Sequence, residues 1–544
     1  MLDEESFPVA TADIEPDTVL FTIPRKDIIC LENSQLFKEV DSSIFVNRGS
    51  EPLDEDDEDQ DGGSSHQRGQ NSWTTLILVM MYEHLRRDPS PWRPYLDVLP
   101  TEFETPMFWT SEEIAELQAS PVVASIGREE ADVMIRTKIL PVIKENAAVF
   151  GGVTDADDER LVQLAHQMGS TIMAYSFDLE GEGDEEDEDE DGWVEDREGR
   201  TMMGMVPMAD ILNADAEFNA HINHSEEALV ATALRKIPAG EEILNYYGPL
   251  PNGQLLRRYG YVTEKHSRYD VVELTAASIT SSIRSRLNLA QQDWDKIDEA
   301  RAKSMFGDDS EQVHGAMVEV EDSYPLERAC EDPDEFGQLQ GTPSFSELPE
   351  ELLDMAKARF KEIKTIRPDA VPDKKFRDRI IYSAVREAAS AKLAEYGTTL
   401  EEDLAKLSTL DSNQPRLRMA MEVRIGEKKL LHEAIAWLDG KIGDGAANGD
   451  MEVDEPAYPS LRIINYLRCF AKINNPSLTI PSSSQPGQAQ NYNEEGEVRN
   501  TPKQCGREVT VGWIMGKPRG RHPETQKVLV INRSAILDRL RNYS

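Results

Sequence analysis

Between Met205 and Tyr261 the chain gathers groups that can bind a polar molecule and act on it without a strong acid or base. The stretch reads MVPMADILNADAEFNAHI, then an alternating strand pattern ending RKIPAGEEILNYYG, then PNGQLLRRYGYV. An apolar run enters the polar loop Asn213-Ala214-Asp215, where small side chains let backbone and amide groups come close to a ligand. Further on, Tyr246-Tyr247-Gly248 follows a strand, and Tyr259-Gly260-Tyr261 closes the segment. One amide, several phenols and two glycines at loop positions suit a pocket that orients its substrate.

These groups need a scaffold. Residues 7–25 read as a strand, a turn around Glu15-Pro16-Asp17 and a second strand, Val19–Ile23, ended by Pro24, a hairpin-like opening. Trp73–Arg86 has helical character, and Ser90–Leu96 makes a rigid aromatic connection. Thr110 and Glu113 fit a capping box, and helical periodicity continues through Val133–Ile143 and Glu159–Tyr175. From about residue 270 long helical patterns dominate. Phe376–Leu393 is helical, Tyr396-Gly397 stops it, and Thr399 with Glu402 forms a second capping box. Leu430, Leu431, Ala434, Ile435 and Leu438 follow a helical period. Gly440 to Glu455 reads as a linker, and Val528–Leu540 as a strand and short helix in a tail of unreadable function.

At 544 residues the chain has room for several domains, and its apolar share of 39% suggests folded units diluted by solvated segments. The formal net charge of −44 disfavours nucleic acid and acidic membrane surfaces and favours basic protein partners. Residues 54–61 carry seven acids and 180–191 carry ten, so both are expected to be self-repelling loops. Cys30, Cys330, Cys469 and Cys505 are far apart with no CxxC pair, which points away from structural zinc and toward a reducing compartment. The acidic start lacks the apolar core of a signal peptide, and the apolar run Leu76–Met81 is too short for a bilayer. A soluble intracellular protein is expected.

Six motifs in order resemble the SET-domain protein lysine methyltransferases, in the branch that includes the Rubisco large-subunit methyltransferases. They are DIEPDTVLFTIPR at 13–25, SPWRPYLDVLP at 90–100, IMAYSFD at 172–178, ADILNADAEFNA at 209–220, NYYG at 245–248 and NGQLLRRYGYV at 252–262. YGTTLEEDL at 396–404 and RMAMEVRIGEKKLL at 418–431 resemble that branch's C-terminal domain. The likeness implies an α+β fold, a SET-type β core with a helical insertion followed by an all-α C-terminal substrate-binding domain. The implied division is 1–265 for the SET domain, with an insertion at about 70–175 and acidic loops at 51–70 and 179–200. Residues 270–440 form the C-terminal domain, and 441–544 a linker and poorly ordered tail.

The resemblance also implies an activity: methyl transfer from S-adenosylmethionine to a lysine of a basic protein, within a group whose members act on a large-subunit ribosomal protein. Tyr247 matches the catalytic tyrosine. Asn213, Ala214, Tyr259 and Tyr175 match cofactor-binding positions, and Trp92, Ser176 and Phe177 match positions near the substrate. The family often has His where Ala214 stands, and the ribosomal group resembles Asn-Ala-Asp here. A monomer is implied, with no metal, nucleic acid or membrane partner, in the nucleus with the cytoplasm as the second location. One departure stands out: the family's Gly-x-Gly loop before the strand matching Phe7–Ala12 has no counterpart in MLDEESFP. A truncated start is expected, the alternative being weak cofactor binding.

Each residue also has a plainer reading. Tyr247 could be a packed strand-end aromatic, Tyr259 core, Asn213 a turn cap, and Trp92 core or hinge. His221 and His224 read as ordinary polar residues, and Met205 and Met208 as core. Ser176 lacks the His/Asp pattern of a hydrolase nucleophile. Arg416, Arg418 and Arg424 read as a solvated or salt-bridged helix face. The runner-up function is a catalytically silent SET-fold protein that holds a basic partner.

Overall fold

A computed structural model describes residues 8–45, 64–179, 202–225, 227–287, 289–306 and 322–444. Apart from Gly443 and Asp444, these fall in one unit that includes Met1–Ile442; a second unit spans Gly443–Arg507. The acidic blocks 54–61 and 180–191, the segment MLDEESF, Cys469, Cys505 and the tail lie outside the described residues.

Val9 and Ile14 form isolated bridges to Glu242 and Ile237 before β1 (Val19–Pro24). The short α1 (Leu36–Glu39) follows. A helical insertion then comprises α2 (Ser64–Leu85), α3 (Arg93–Leu96), α4 (Ser111–Ala115), α5 (Arg128–Met134), a π turn over Ile135–Ile139, α6 (Leu140–Glu145) and α7 (Asp158–Tyr175). β2 (Ser176–Leu179) and β3 (Met202–Met205) make a ribbon, with Ser176 opposite Met205. β4 (Ala220–His224) and β5 (Ala228–Ala233) join β1 in an antiparallel sheet of order β1-β5-β4. After α8 (Asn252–Tyr259), β6 (Val272–Thr275) leads into α9 (Ala276–Leu287) and α10 (Gln291–Phe306). β7 (Ser323–Leu326) pairs back onto β6. The chain continues as α11 (Glu350–Ile366), α12 (Lys374–Glu395), α13 (Leu400–Ser408) and α14 (Pro415–Asp444).

Burial follows sequence pattern. In β5 the buried positions Leu229, Ala231 and Ala233 alternate with more exposed ones, as the two-residue strand period requires. In α2 every residue from Leu76 to Tyr82 is buried, so this helix is apolar all round and runs through the insertion's core. Val272, Leu352, Phe360, Val385 and Leu431 belong to a separate C-terminal core. Both expected capping boxes form, at Thr110–Glu113 and Thr399–Glu402.

Three expectations need correction. The opening is not a hairpin, because β1 pairs with β5 and Val9 and Ile14 bridge residues after β5. Local alternation marked extended chain correctly but could not choose its partner. The loop expected over 51–70 does not hold for 64–70, since α2 begins at Ser64 among polar residues whose pattern carries no helical signal. The linker expected from Gly440 does not begin there, because α14 runs on to Asp444, and the rest of that expectation lies outside the described residues. A smaller finding is the β6–β7 ribbon that precedes the C-terminal helices.

A buried polar seam joins the insertion to α13 and α14. Trp109, Leu117, Val122, Leu256, Ala420 and Val423 form its apolar part. Beside them Arg424, fully buried, binds both oxygens of Asp403 at 2.8 and 3.0 Å and reaches Glu116 Oε2 at 3.1 Å. Lys428, also fully buried, donates to Asp403 Oδ2 at 2.6 Å and to the Thr398 carbonyl at 2.7 Å. Arg424 is therefore no solvated residue. Arg416 keeps the expected surface role, paired with Glu104 and Glu113 at 2.7 and 3.0 Å.

Candidate active site

The site is built on a 3-10 turn, Ala209–Ile211, that ends the apolar run after β3. Met208 enters this turn with φ of 83°, left-handed backbone that a non-glycine side chain rarely adopts. The chain then extends through Leu212, Asn213 and Ala214, and three donors lock that extended piece. Asn245 N–H donates to the Asn213 carbonyl at 2.8 Å, within a parallel bridge between Ala214 and Asn245. The Tyr247 hydroxyl donates to the Leu212 carbonyl at 2.8 Å, and the Tyr261 hydroxyl to the Ala214 carbonyl at 3.2 Å.

Stacking assembles the phenols. The Tyr247 ring lies 4.9 Å from Tyr259, and Tyr259 lies 6.0 Å from Tyr261. Gly260 makes the turn between the last two possible: its φ is 78°, and an added Cβ would sit 3.0 Å from the backbone of Glu104 and Thr105. Buried Asn219 holds the strand side, accepting from Leu244 N–H at 2.8 Å and donating to the Glu242 carbonyl at 2.8 Å. Tyr246 points elsewhere and stacks on Phe218.

Burial pushes the Tyr247 hydroxyl well above its usual pKa, and the neighbouring Tyr261, Tyr259, Asp210 and Tyr175 push the same way. Tyr247 thus stays a neutral O–H. Because that hydrogen is directed at Leu212, the oxygen keeps its lone pairs for an incoming N–H. Asp210, on the 3-10 turn, accepts from the Tyr95 hydroxyl at 2.7 Å. Burial pushes this carboxyl up to about 6, against the pull of Tyr95.

The structure brings Leu212–Ala214, Tyr247, Tyr259 and Tyr261 together, with Tyr175 at the end of α7 near Tyr247. The Asn213 side chain is exposed and donates to Glu242 Oε1 at 2.7 Å, so its contribution to the locked segment is its carbonyl. Ser176 and Phe177 follow Tyr175 on β2, and Phe177 packs on the sheet core. Trp92 packs on the insertion core and its indole donates to the Asp27 carbonyl at 2.8 Å. Asp210, Tyr95 and Asn219 had no place among the expected site residues. Asp210 offered one signal, a lone acid in the apolar run before Asn213. Tyr95 and Asn219 offered none, because their partners are distant in sequence.

Comparison with known proteins fits this geometry. A SET-domain family model matches residues 9–248, and a model described as Rubisco LSMT substrate-binding matches 350–431. The chain therefore carries a SET domain followed by a domain of the Rubisco LSMT substrate-binding type. Among its relatives, ribosomal lysine N-methyltransferase 4 of Saccharomyces cerevisiae (strain ATCC 204508 / S288c) is 33% identical over 286 residues. That match covers 51% of this chain and 53% of the yeast protein, so the chain spans about half the length of that relative. N-lysine methyltransferase SETD6 of Homo sapiens is 27% identical over 388 residues, 68% of this chain and 75% of the human protein. A crystal structure of the SET domain of LSMT bound to lysine and AdoHcy overlays with a TM-score of 0.49 at 18% identity, over 81% of this chain and 85% of that one.

Proposed function

We propose that the protein is an S-adenosylmethionine-dependent protein-lysine N-methyltransferase whose substrate is a basic, large-subunit ribosomal protein. One observation carries the proposal: within the SET match, the half-buried Tyr247 hydroxyl is fixed on the Leu212 carbonyl beside Asn213. The ribosomal substrate rests on the name of the yeast relative and on the chain's charge of −44, which attracts a basic partner. By the resemblance, residues 1–265 and 270–440 are the two working domains, and the nucleus, with the cytoplasm second, is the place of action.

The residues present suit the cofactor. The groups nearest Tyr247 include the phenols of Tyr261, Tyr259 and Tyr175 and the carboxyl of Asp210, and ring faces attract a sulfonium cation. Asn213, Ala214, Tyr259 and Tyr175 would hold it, and it supplies a methyl group on positively charged sulfur. A lysine at pH 7 must first lose a proton, at a cost of about 4–5 kcal/mol. A buried site lowers that cost by disfavouring the ammonium. Tyr247 then accepts an N–H of the neutral amine and turns the nitrogen lone pair toward its target, a gain in orientation. The locked carbonyls of Leu212–Ala214 keep that oxygen in place.

The test is methyl transfer from radiolabelled S-adenosylmethionine to fractionated large-subunit ribosomal proteins. One labelled basic band is expected. Absence of label in every protein fraction, with S-adenosylmethionine bound in calorimetry, would replace catalysis by partner binding.

A further inference from the structure

A cavity of about 60 Å³ lies where α2, α5 and α7 of the insertion meet α8. One water needs roughly 10–15 Å³ of such space, so there is room for a short side-chain tip. Met107, Met134 and Met173 supply adaptable apolar wall, while Arg257, Arg258 and His166 supply polar wall. Neither arginine has a carboxylate partner among the described residues, although Lys236 and Lys265, the next cations before and after them in sequence, are both paired. Arg257 donates to Gln254 Oε1 at 3.1 Å, and Arg258 Nε is closed off from solvent with no hydrogen-bond partner. Burial and the neighbouring Arg258 both push the Arg257 pKa down. His166 lies 3.5 Å from Asp132. Two adjacent guanidiniums facing a partly buried space without a counter-ion make an incomplete electrostatic arrangement.

We infer that this cavity is a subsite for an acidic side chain of the substrate protein, its carboxylate held by Arg257 and Arg258 and its methylene stem lying against the methionines. The assignment rests on the methyltransferase reading and adds to it a specificity element. Arg258 sits beside the Tyr259 hydroxyl, which stacks on Tyr247, and Met173 is two residues before Tyr175. The subsite thus adjoins the proposed lysine site. Charge-assisted bonds from guanidinium to carboxylate are strong and geometrically selective. The net acidity of the chain draws in a basic protein, and the paired arginines then pick the lysine that has an acid at the right spacing.

The experiment is thermal unfolding of the full chain with N-acetyl-L-glutamate N-methylamide at millimolar concentration, against the glutamine analogue. The glutamate probe is expected to raise Tm by about 2–4 °C at saturation, and the glutamine probe not at all. Arg257→Gln and Arg258→Gln should each abolish the shift. Should either variant unfold without ligand, Arg258→Lys, which keeps the charge, should retain part of it. No shift, or equal shifts with both probes, overturns the assignment. So does loss of the shift in saturating S-adenosylmethionine, which would give the cavity to the cofactor's own carboxylate. The readout needs no turnover: a failed probe with intact methyl transfer removes the subsite alone, and a bound probe without transfer removes the methyltransferase reading alone.

Discussion

Two polar regions of this molecule, one half-buried and one fully buried, are built on opposite plans. Around Tyr247, hydroxyls donate to backbone carbonyls at 2.8 and 3.2 Å, and the proposed reacting group carries no charge. Beneath α14, Arg424 and Lys428 converge on a single carboxylate, Asp403, with side-chain exposures of 0%, 0% and 1%. The first plan leaves oxygen lone pairs available to a visitor. The second uses every lone pair internally, and hydrogen bonds from Arg424, Lys428 and Thr398 outweigh burial to hold Asp403 below its usual range. Chemistry and rigidity are thus supplied by different residues, and the two should fail separately.

The strongest way to break that separation is Tyr247→Phe. The ring remains to stack on Tyr259, and the Leu212 carbonyl loses one donor, a stability change of about 1 kcal/mol. Loss of one positioned hydrogen-bonding group should lower methyl transfer by roughly 10²–10³-fold. Radiolabel transfer measures the rate, and calorimetry should show unchanged cofactor binding. A variant as fast as the parent would remove Tyr247 from the mechanism.

Arg424→Met tests the other region. The apolar stem is kept, but Glu116 loses its buried partner and Asp403 is left with Lys428 and Thr398. Removing one member of such a network costs about 3–5 kcal/mol, read as a lower urea midpoint. Cofactor affinity should hold below the new midpoint. A midpoint within error of the parent would mean that the seam contributes nothing.

The seam also contributes to the pH dependence. Buried Glu427 accepts from Ser120 at 2.6 Å and Tyr396 at 2.9 Å, yet burial pushes its carboxyl up to about 8. A carboxyl with a folded pKa above its unfolded value favours the fold at low pH, and this contribution is lost as pH rises through the folded pKa. Stability should therefore fall between about pH 4.5 and pH 8, by up to roughly 1.4 kcal/mol per unit from this group. Glu427→Gln should flatten the slope over that window in urea titrations at several pH values. An unchanged slope would move the effect to another group, with Asp270, pushed by burial to about 7, the first candidate.

The sequence announced the first region better than the second. Leu212–Ala214, Tyr247 and Tyr259 stand in short motifs whose spacing is local, so an Asn loop and a tyrosine before Gly248 could be read directly. The Tyr95–Asp210 bond joins residues 115 positions apart, and the Arg424–Glu116 contact spans 308. Nothing in local periodicity encodes such pairings, which is also why β1 looked like half of a hairpin. Buried charge misleads in the same way: along α14, Arg424 and Lys428 resemble solvated residues until Asp403 arrives from α13. The capping boxes were legible because Thr and Glu three residues apart satisfy each other.

Thr399→Ala gives the smallest expected effect and sharpens the boundary of the seam. Thr399 accepts from Glu402 N–H at 3.2 Å, and the Glu402 carboxylate accepts from Thr399 N–H at 2.8 Å, both near the surface. Losing an N-cap hydroxyl of this kind costs about 1 kcal/mol. Yet the preceding residue, Thr398, bonds Asp403, Gln118 and Lys428 at the heart of the seam. If the box acts only on its own helix, the urea midpoint should fall slightly and the Glu427-dependent pH slope should persist. A loss as large as that of Arg424→Met would show that the box sets the position of Thr398, and that the seam begins one residue earlier than its buried charges indicate.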